Sequence, residues 1–193
     1  IVGAQEVEGV GHAFSRQIAL VGHALLAQSM AVRGGPYLKS LNRDLGEAAA
    51  GTEFVPPDLV VDNTMELDLG GRKLQLKSWQ KGHSETDISV YDEQTKTLWL
   101  SDLLFVTHIP ALDGSITGWL KVMAEVRAMN PAFVIPGHGM APAPWPQALE
   151  AQLKYLRLVE GETRTAIKKK RAMQEATEEV GYSEQKNWEN WED

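Results

Sequence analysis

Residues 64 to 76 alternate in strand period about a pair of glycines, and this feature commits the chain to a sheet-containing fold. Met65, Leu67 and Leu69 face one side while Glu66 and Asp68 face the other, and Leu74 and Leu76 resume the pattern after Gly70-Gly71. Two adjacent glycines accept positive φ at little cost, so the segment predicts a β-hairpin with a two-residue turn.

Around that hairpin the remaining segments divide between strand and helix. Ile18 to Val21 reads as a short buried strand ending at Gly22. His23 to Val32 has helix composition and meets the stop Gly34-Gly35-Pro36, with a second helix over Tyr37 to Ala50 before Pro56-Pro57 breaks the pattern and a β stretch follows. Ile88–Tyr91 and Thr97–Leu100 read as strands, Ile116–Met129 as a helix closed by Asn130-Pro131, and Phe133–Ile135 as a buried strand delivering the loop Pro136-Gly137-His138-Gly139. A long helix is expected from about Trp145 to Lys170 and a shorter one over Ala172–Val180, followed by a Trp-rich acidic tail. Strand pairs interleaved with helices predict a layered α/β architecture, and 193 residues with 43% hydrophobic content suit a single domain over 1–193 with a helical extension from about 145.

Charge and composition narrow the chemistry. A net charge of -7 argues against a surface that tracks phosphates, so no nucleic-acid partner is expected, and the one basic run, Lys168–Arg171, reads as a solvated helix face. No apolar run approaches a bilayer span, so no membrane partner is expected either. The sequence has no cysteine, and a transition metal would therefore have to be held by His and carboxylate side chains.

Three polar residues fall in loops that follow β-rich segments: His83 after Gly82, Asp102 after Ser101, and His138 in Pro136-Gly137-His138-Gly139. Loops on a rigid scaffold are where reactive groups are usually presented. Two imidazoles and a carboxylate suit Zn²⁺, Fe²⁺ or Mn²⁺, although their spacing alone leaves the ligand role open. His23 reads as a capping or helix-start residue and His12 as a surface loop residue, while His108 is a candidate to line a pocket beside the Asp102 loop. Asp87 is a candidate to hydrogen-bond behind the ligands or to cap a strand. Ser84 and Ser101 flank the candidates, but nothing supports a Ser-His-Asp relay. Trp79, Trp99 and Trp119 read as core.

Gly82-His83-Ser84-Glu85-Thr86-Asp87, Leu100-Ser101-Asp102-Leu103-Leu104-Phe105 and Ile135-Pro136-Gly137-His138-Gly139, in this order, resemble three motifs of the metallo-β-lactamase superfamily. The resemblance implies an αββα sandwich and a dinuclear zinc site in which His83 binds one metal, His138 the other, and Asp102 bridges both. It implies a hydrolase of a small ester, thioester, lactone or amide acting through metal-bound hydroxide, and a periplasmic or secreted location. Val21-Gly22-His23, Thr52 to Pro57, Asp102 to Val106 and Leu112-Asp113-Gly114-Ser115 resemble, more narrowly, the quinoprotein relay system and Sox-type zinc metallohydrolases.

The superfamily's signature His-x-His-x-Asp-His is not in this sequence. Ile1-Val2-Gly3-Ala4 resembles the residues that directly follow it, so the expectation is a chain carrying about two-thirds of the fold, inactive or nearly so by itself. Two other readings are a non-catalytic protein of the same fold that binds a partner or ligand, and a weak or mononuclear site of His83, Asp102 and His138 alone. The partner expected of an intact hydrolase is a small-molecule substrate.

Overall fold

The computed structural model describes residues 19–191. Its contacts divide the chain into two compact units, 1–62 and 63–193. His12 and the Ile1–Ala4 segment lie outside the described residues, as does Ile18.

In the first unit β1 (Val21–His23) pairs in parallel with β2 (Leu59–Val61). Between them α1 runs unbroken over Leu26–Leu45, with Pro36 inside it, so the break expected at Gly34-Gly35-Pro36 is absent. The residue that reads as a stop signal is a contact: a Cβ on Gly34 would lie 2.8 Å from the Phe54 ring, so glycine lets that ring sit against the helix. Tertiary packing of this kind routinely overrides local propensity. His23 is buried and ends β1, and its Nδ1 accepts the Leu25 N–H at 3.0 Å across the turn; it does not cap α1, whose N-cap is Leu25 with no side-chain bond, which corrects the capping role expected of it.

The second unit holds a five-stranded sheet in the order β3 (Thr64–Asp68), β4 (Lys73–Trp79), β5 (Asp87–Asp92), β6 (Thr97–Phe105), β7 (Phe133–His138). The first four strands are antiparallel and β7 lies parallel to β6, joined to it by the crossover helix α2 (Ile116–Met129). The hairpin forms as its sequence dictates, with Gly70 and Gly71 both at positive φ and the Leu69 N–H donating to the Arg72 carbonyl. Leu69 falls in this turn and is exposed instead of facing inward.

One face of the sheet supplies Trp79, Leu98, Leu100 and Val134 to a core completed by Trp119, Val122, Met123 and Val126 of α2 and Leu149, Leu153 and Leu156 of α3 (Gln147–Lys168). Their spacing on each helix is a three-to-four residue repeat, which puts the apolar side chains on one face. Trp99 alternates to the opposite face of β6 and is 37% exposed, which corrects its expected place in the core. After α3 come a short helix, α4 (Met173–Thr177), briefer than the expected Ala172–Val180, and a 3₁₀ turn over Tyr182–Asn187. Among the described residues no helix is long and apolar enough to cross a membrane.

Candidate metal centre

The C-terminal ends of β6 and β7 and the loop between β4 and β5 meet at one edge of the second unit, and they bring His83, Asp102 and His138 together. His83 Nε2 lies 3.8 Å from Asp102 Oδ2, and His138 Nε2 lies 3.5 Å from Asp102 Oδ1. Each carboxylate oxygen thus faces a different imidazole.

Asp102 does not occupy a loop after a strand, as its sequence context suggests; it lies within β6, at an irregularity. The β6–β7 register shifts between Trp99 and Ser101 and again between Ser101 and Phe105, and Ser101 takes a left-handed φ of 50°. Such a bulge turns a side chain out of the normal alternation and is common beside active sites. Backbone groups that lose ladder partners here are satisfied by buried side chains. The Leu103 carbonyl accepts from Gln152 Nε2 at 2.8 Å and from Trp119 Nε1 at 2.9 Å, and the Phe105 N–H donates to Gln152 Oε1 at 2.8 Å. Gln152 and Trp119, on α3 and α2, therefore hold the bulge that aims Asp102.

His83 is oriented by backbone. Its Nδ1 sits 2.7 Å from the Ala111 carbonyl oxygen, which can only accept, so Nδ1 is the donor and Nε2 is the ring nitrogen turned toward Asp102. Asp87 fixes the loop and not this tautomer: its carboxylate accepts the Ser84 N–H at 3.1 Å and the Ser84 hydroxyl at 2.5 Å. The segment 111–115 closes over the same loop, with Asp113 N–H donating to the His83 carbonyl and Ser115 N–H to the Gly82 carbonyl, while the Ser115 hydroxyl accepts the Gly118 N–H as N-cap of α2.

Glycines make this nesting possible, and sequence patterning did not single them out. A Cβ on Gly114 would lie 2.6 Å from the Gly82 carbonyl oxygen, one on Gly82 would lie 2.5 Å from Asp87 Oδ2, and one on Gly118 would collide with the Lys81 carbonyl. A Cβ on Gly137 would occupy the place of Asp102 Oδ1. The floor is aromatic: Phe105 stacks on His138 at 4.6 Å and 10°, and Trp119 meets His83 edge-on at 5.4 Å. His108 lies 5.5 Å from His138 on a near-parallel plane. Lys81 (φ 60°), Ser101 and Thr107 (φ 64°) all sit in the left-handed region, one or two residues ahead of His83, Asp102 and His108. Strain of this kind persists where the surroundings over-determine the backbone, and it clusters at functional sites.

In a tetrahedral metal site with bonds near 2.1 Å, ligand atoms lie roughly 3.4 Å apart. The two N–O separations are close to that spacing, and the donor set is the nitrogen and oxygen pair that zinc and its neighbours accept, so these residues fit a divalent metal. Among the described residues no set of three or more His, Asp or Glu closes on a single point. The arrangement is instead two imidazole–carboxylate pairs sharing one aspartate.

Solved structures share this architecture. A metallo-β-lactamase from Pontibacter korlensis superimposes with a TM-score of 0.56 over 76% of this chain at 20% identity. The metallo-β-lactamase IND-7 gives 0.54 over 76% at 14% identity, and an archaeal metallo-β-lactamase superfamily protein from Sulfolobus tokodaii gives 0.51 over 69% at 19% identity. The chain has the metallo-β-lactamase fold. It spans 62%, 61% and 56% of the lengths of these three proteins. By sequence, neither a family model nor a curated protein matches it. In this fold the shared Asp102, with one oxygen toward each imidazole, is the chemically informative feature of the chain.

Proposed function

We propose that the site is the metal-binding part of a hydrolase acting on a small ester, thioester, lactone or amide, with zinc as the preferred metal. The observation that carries the reading is Asp102, whose two oxygens face His83 Nε2 and His138 Nε2 separately at 3.8 and 3.5 Å, as a carboxylate bridging two cations would. A divalent cation held there supplies a water activated near neutral pH and polarisation of the substrate carbonyl.

The chain's own residues do the rest. Ala111 fixes the His83 proton on Nδ1 and leaves Nε2 free to coordinate. The Phe105 ring stacked on His138 and the Trp119 edge against His83 hold both imidazoles in orientation and exclude water from one side of the centre. The Leu112-Asp113-Gly114-Ser115 segment locks the His83 loop through the Asp113 and Ser115 N–H groups. The test is Zn²⁺ titration of this chain against a chromophoric chelator. His83→Ala, His138→Ala and Asp102→Ala should each weaken binding at least roughly tenfold, the scale of losing one charge-assisted or metal contact. If zinc does not bind, or binds equally to all three variants, the non-catalytic scaffold replaces the hydrolase.

A further inference from the structure

The C-terminal tail, which sequence reading leaves without a partner, ends in the wall of the metal centre. Glu189 brackets His108 by backbone: its N–H donates to the Thr107 carbonyl at 2.7 Å, and its carbonyl accepts the Ile109 N–H at 3.0 Å, forming a parallel bridge with His108 between the two bonds. Oε2 of the same residue lies 3.4 Å from the Thr107 hydroxyl. Thr107 is β-branched and left-handed, a conformation such a residue does not hold unaided. The strand-like tail is in turn fixed to α3. Trp188 and Trp191 pack on Tyr155 at 5.5 and 6.4 Å, and Glu162 accepts the Gly181 N–H at 2.7 Å.

The consequence lies in the ring that follows Thr107. The His138 imidazole stacks with both Phe105 and His108, at centroid distances of 4.6 and 5.5 Å and interplanar angles of 10° and 26°. His108 remains half-buried. The His108 N–H closes a local turn onto the Val106 carbonyl at 2.8 Å, and the two backbone bonds that flank the ring on either side come from a segment about 80 residues further along the chain.

We propose that His108 is a substrate-positioning residue of this centre and that the C-terminal strand at Glu189 is the clamp that holds it over His138. The role toward substrate rests on the hydrolase reading, and the clamp does not. With the clamp in place the His108 imidazole offers a hydrogen bond to the carbonyl or leaving atom of an acyl substrate; without it, a single local bond from the His108 N–H to the Val106 carbonyl is left to hold the strained turn at Thr107, and the ring leaves.

The experiment uses the full chain with isotope-labelled histidine and reads the nuclear Overhauser contact between the His108 and His138 rings. Glu189→Pro, which deletes the donor to Thr107, should abolish that contact, whereas Glu189→Gln, which keeps both backbone bonds, should retain it. Removal of 188–193 is the second variant, compared at equal far-UV circular dichroism in case proline unfolds the tail. In parallel, Zn²⁺ affinity in both tail variants should stay within about threefold of the parent, while His108→Ala should raise KM for p-nitrophenyl acetate about tenfold with little change in kcat, the worth of one hydrogen bond. Persistence of the ring contact in both tail variants overturns the clamp. A loss of Zn²⁺ affinity matching that of His138→Ala, or an unchanged KM in His108→Ala, overturns the substrate role. Failure of the parent chain to take up Zn²⁺ overturns the hydrolase reading and that role with it, and is seen independently of the ring contact.

Discussion

Replacing Gly137 by alanine tests the centre at its tightest point. Gly137 has no positive φ, so alanine is conformationally acceptable there and the effect is steric alone. The new Cβ would lie 2.6 Å from the Ser101 carbonyl carbon and 2.7 Å from the Asp102 nitrogen, and on top of Asp102 Oδ1. Non-bonded atoms of this kind settle at about 3.5 Å, so β6 and β7 must part by roughly 0.8 Å, or the Asp102 carboxylate must swing away from His138. Overpacking of this size costs about 1–3 kcal/mol, offset by about 0.4–1 kcal/mol from the stiffer unfolded chain. The net loss of about 1–2 kcal/mol corresponds to a Tm lower by about 3–6 °C for a chain of this size. The oxygen displaced is the one facing His138, so Zn²⁺ affinity should fall by roughly 10–100-fold, as when a ligand loses its support. Thermal unfolding and chelator competition measure the two effects. Gly161→Ala is the control, because Gly161 is inside α3 with open space around it and should gain about 0.5–1 kcal/mol. If Gly137→Ala is as stable as the Gly161 variant and binds zinc like the parent, close approach of β7 to Asp102 is not what shapes the centre.

Gln152→Leu should destabilise the second unit by about 1–3 kcal/mol in denaturant titration, because the buried Phe105 N–H loses its only side-chain acceptor; wild-type stability would remove Gln152 from the support of the bulge. Acid should weaken the fold through Asp92, whose carboxyl is held at about 2 by hydrogen bonds from Arg72 and Thr95. Since that value lies below the ordinary carboxylate range, its contribution is complete above about pH 4 and lost as pH falls toward 2. Denaturation midpoints of the parent should therefore drop between pH 4 and 2 more steeply than those of Asp92→Asn, and parallel curves would contradict this.

How legible the protein was in its sequence differs from element to element. The hairpin at Gly70-Gly71 and the helix Ile116–Met129 were readable because their signals are local: two adjacent glycines, a three-to-four residue repeat, and the Asn130-Pro131 stop. The α1 break was misread because Gly34 and Pro36 carry the same letters whether they end a helix or admit the Phe54 ring, and only a residue distant in sequence decides between them. Trp99 was misassigned for a similar reason. Alternation along β6 places it on one face, but which face meets the helices depends on where α2 and α3 lie.

The same division runs through the metal centre. By itself the sequence limited the available donors, since a chain without cysteine can offer a transition metal only imidazole and carboxylate, and its motifs singled out His83, Asp102 and His138. Tertiary structure alone decided that one Asp102 oxygen faces each imidazole, that the Ala111 carbonyl accepts from His83 Nδ1, that Gln152 and Trp119 hold the bulge, and that Glu189 reaches back to His108. These are relations between residues tens of positions apart, set by bulge geometry, absent side chains and backbone groups seeking partners, and no local pattern encodes them.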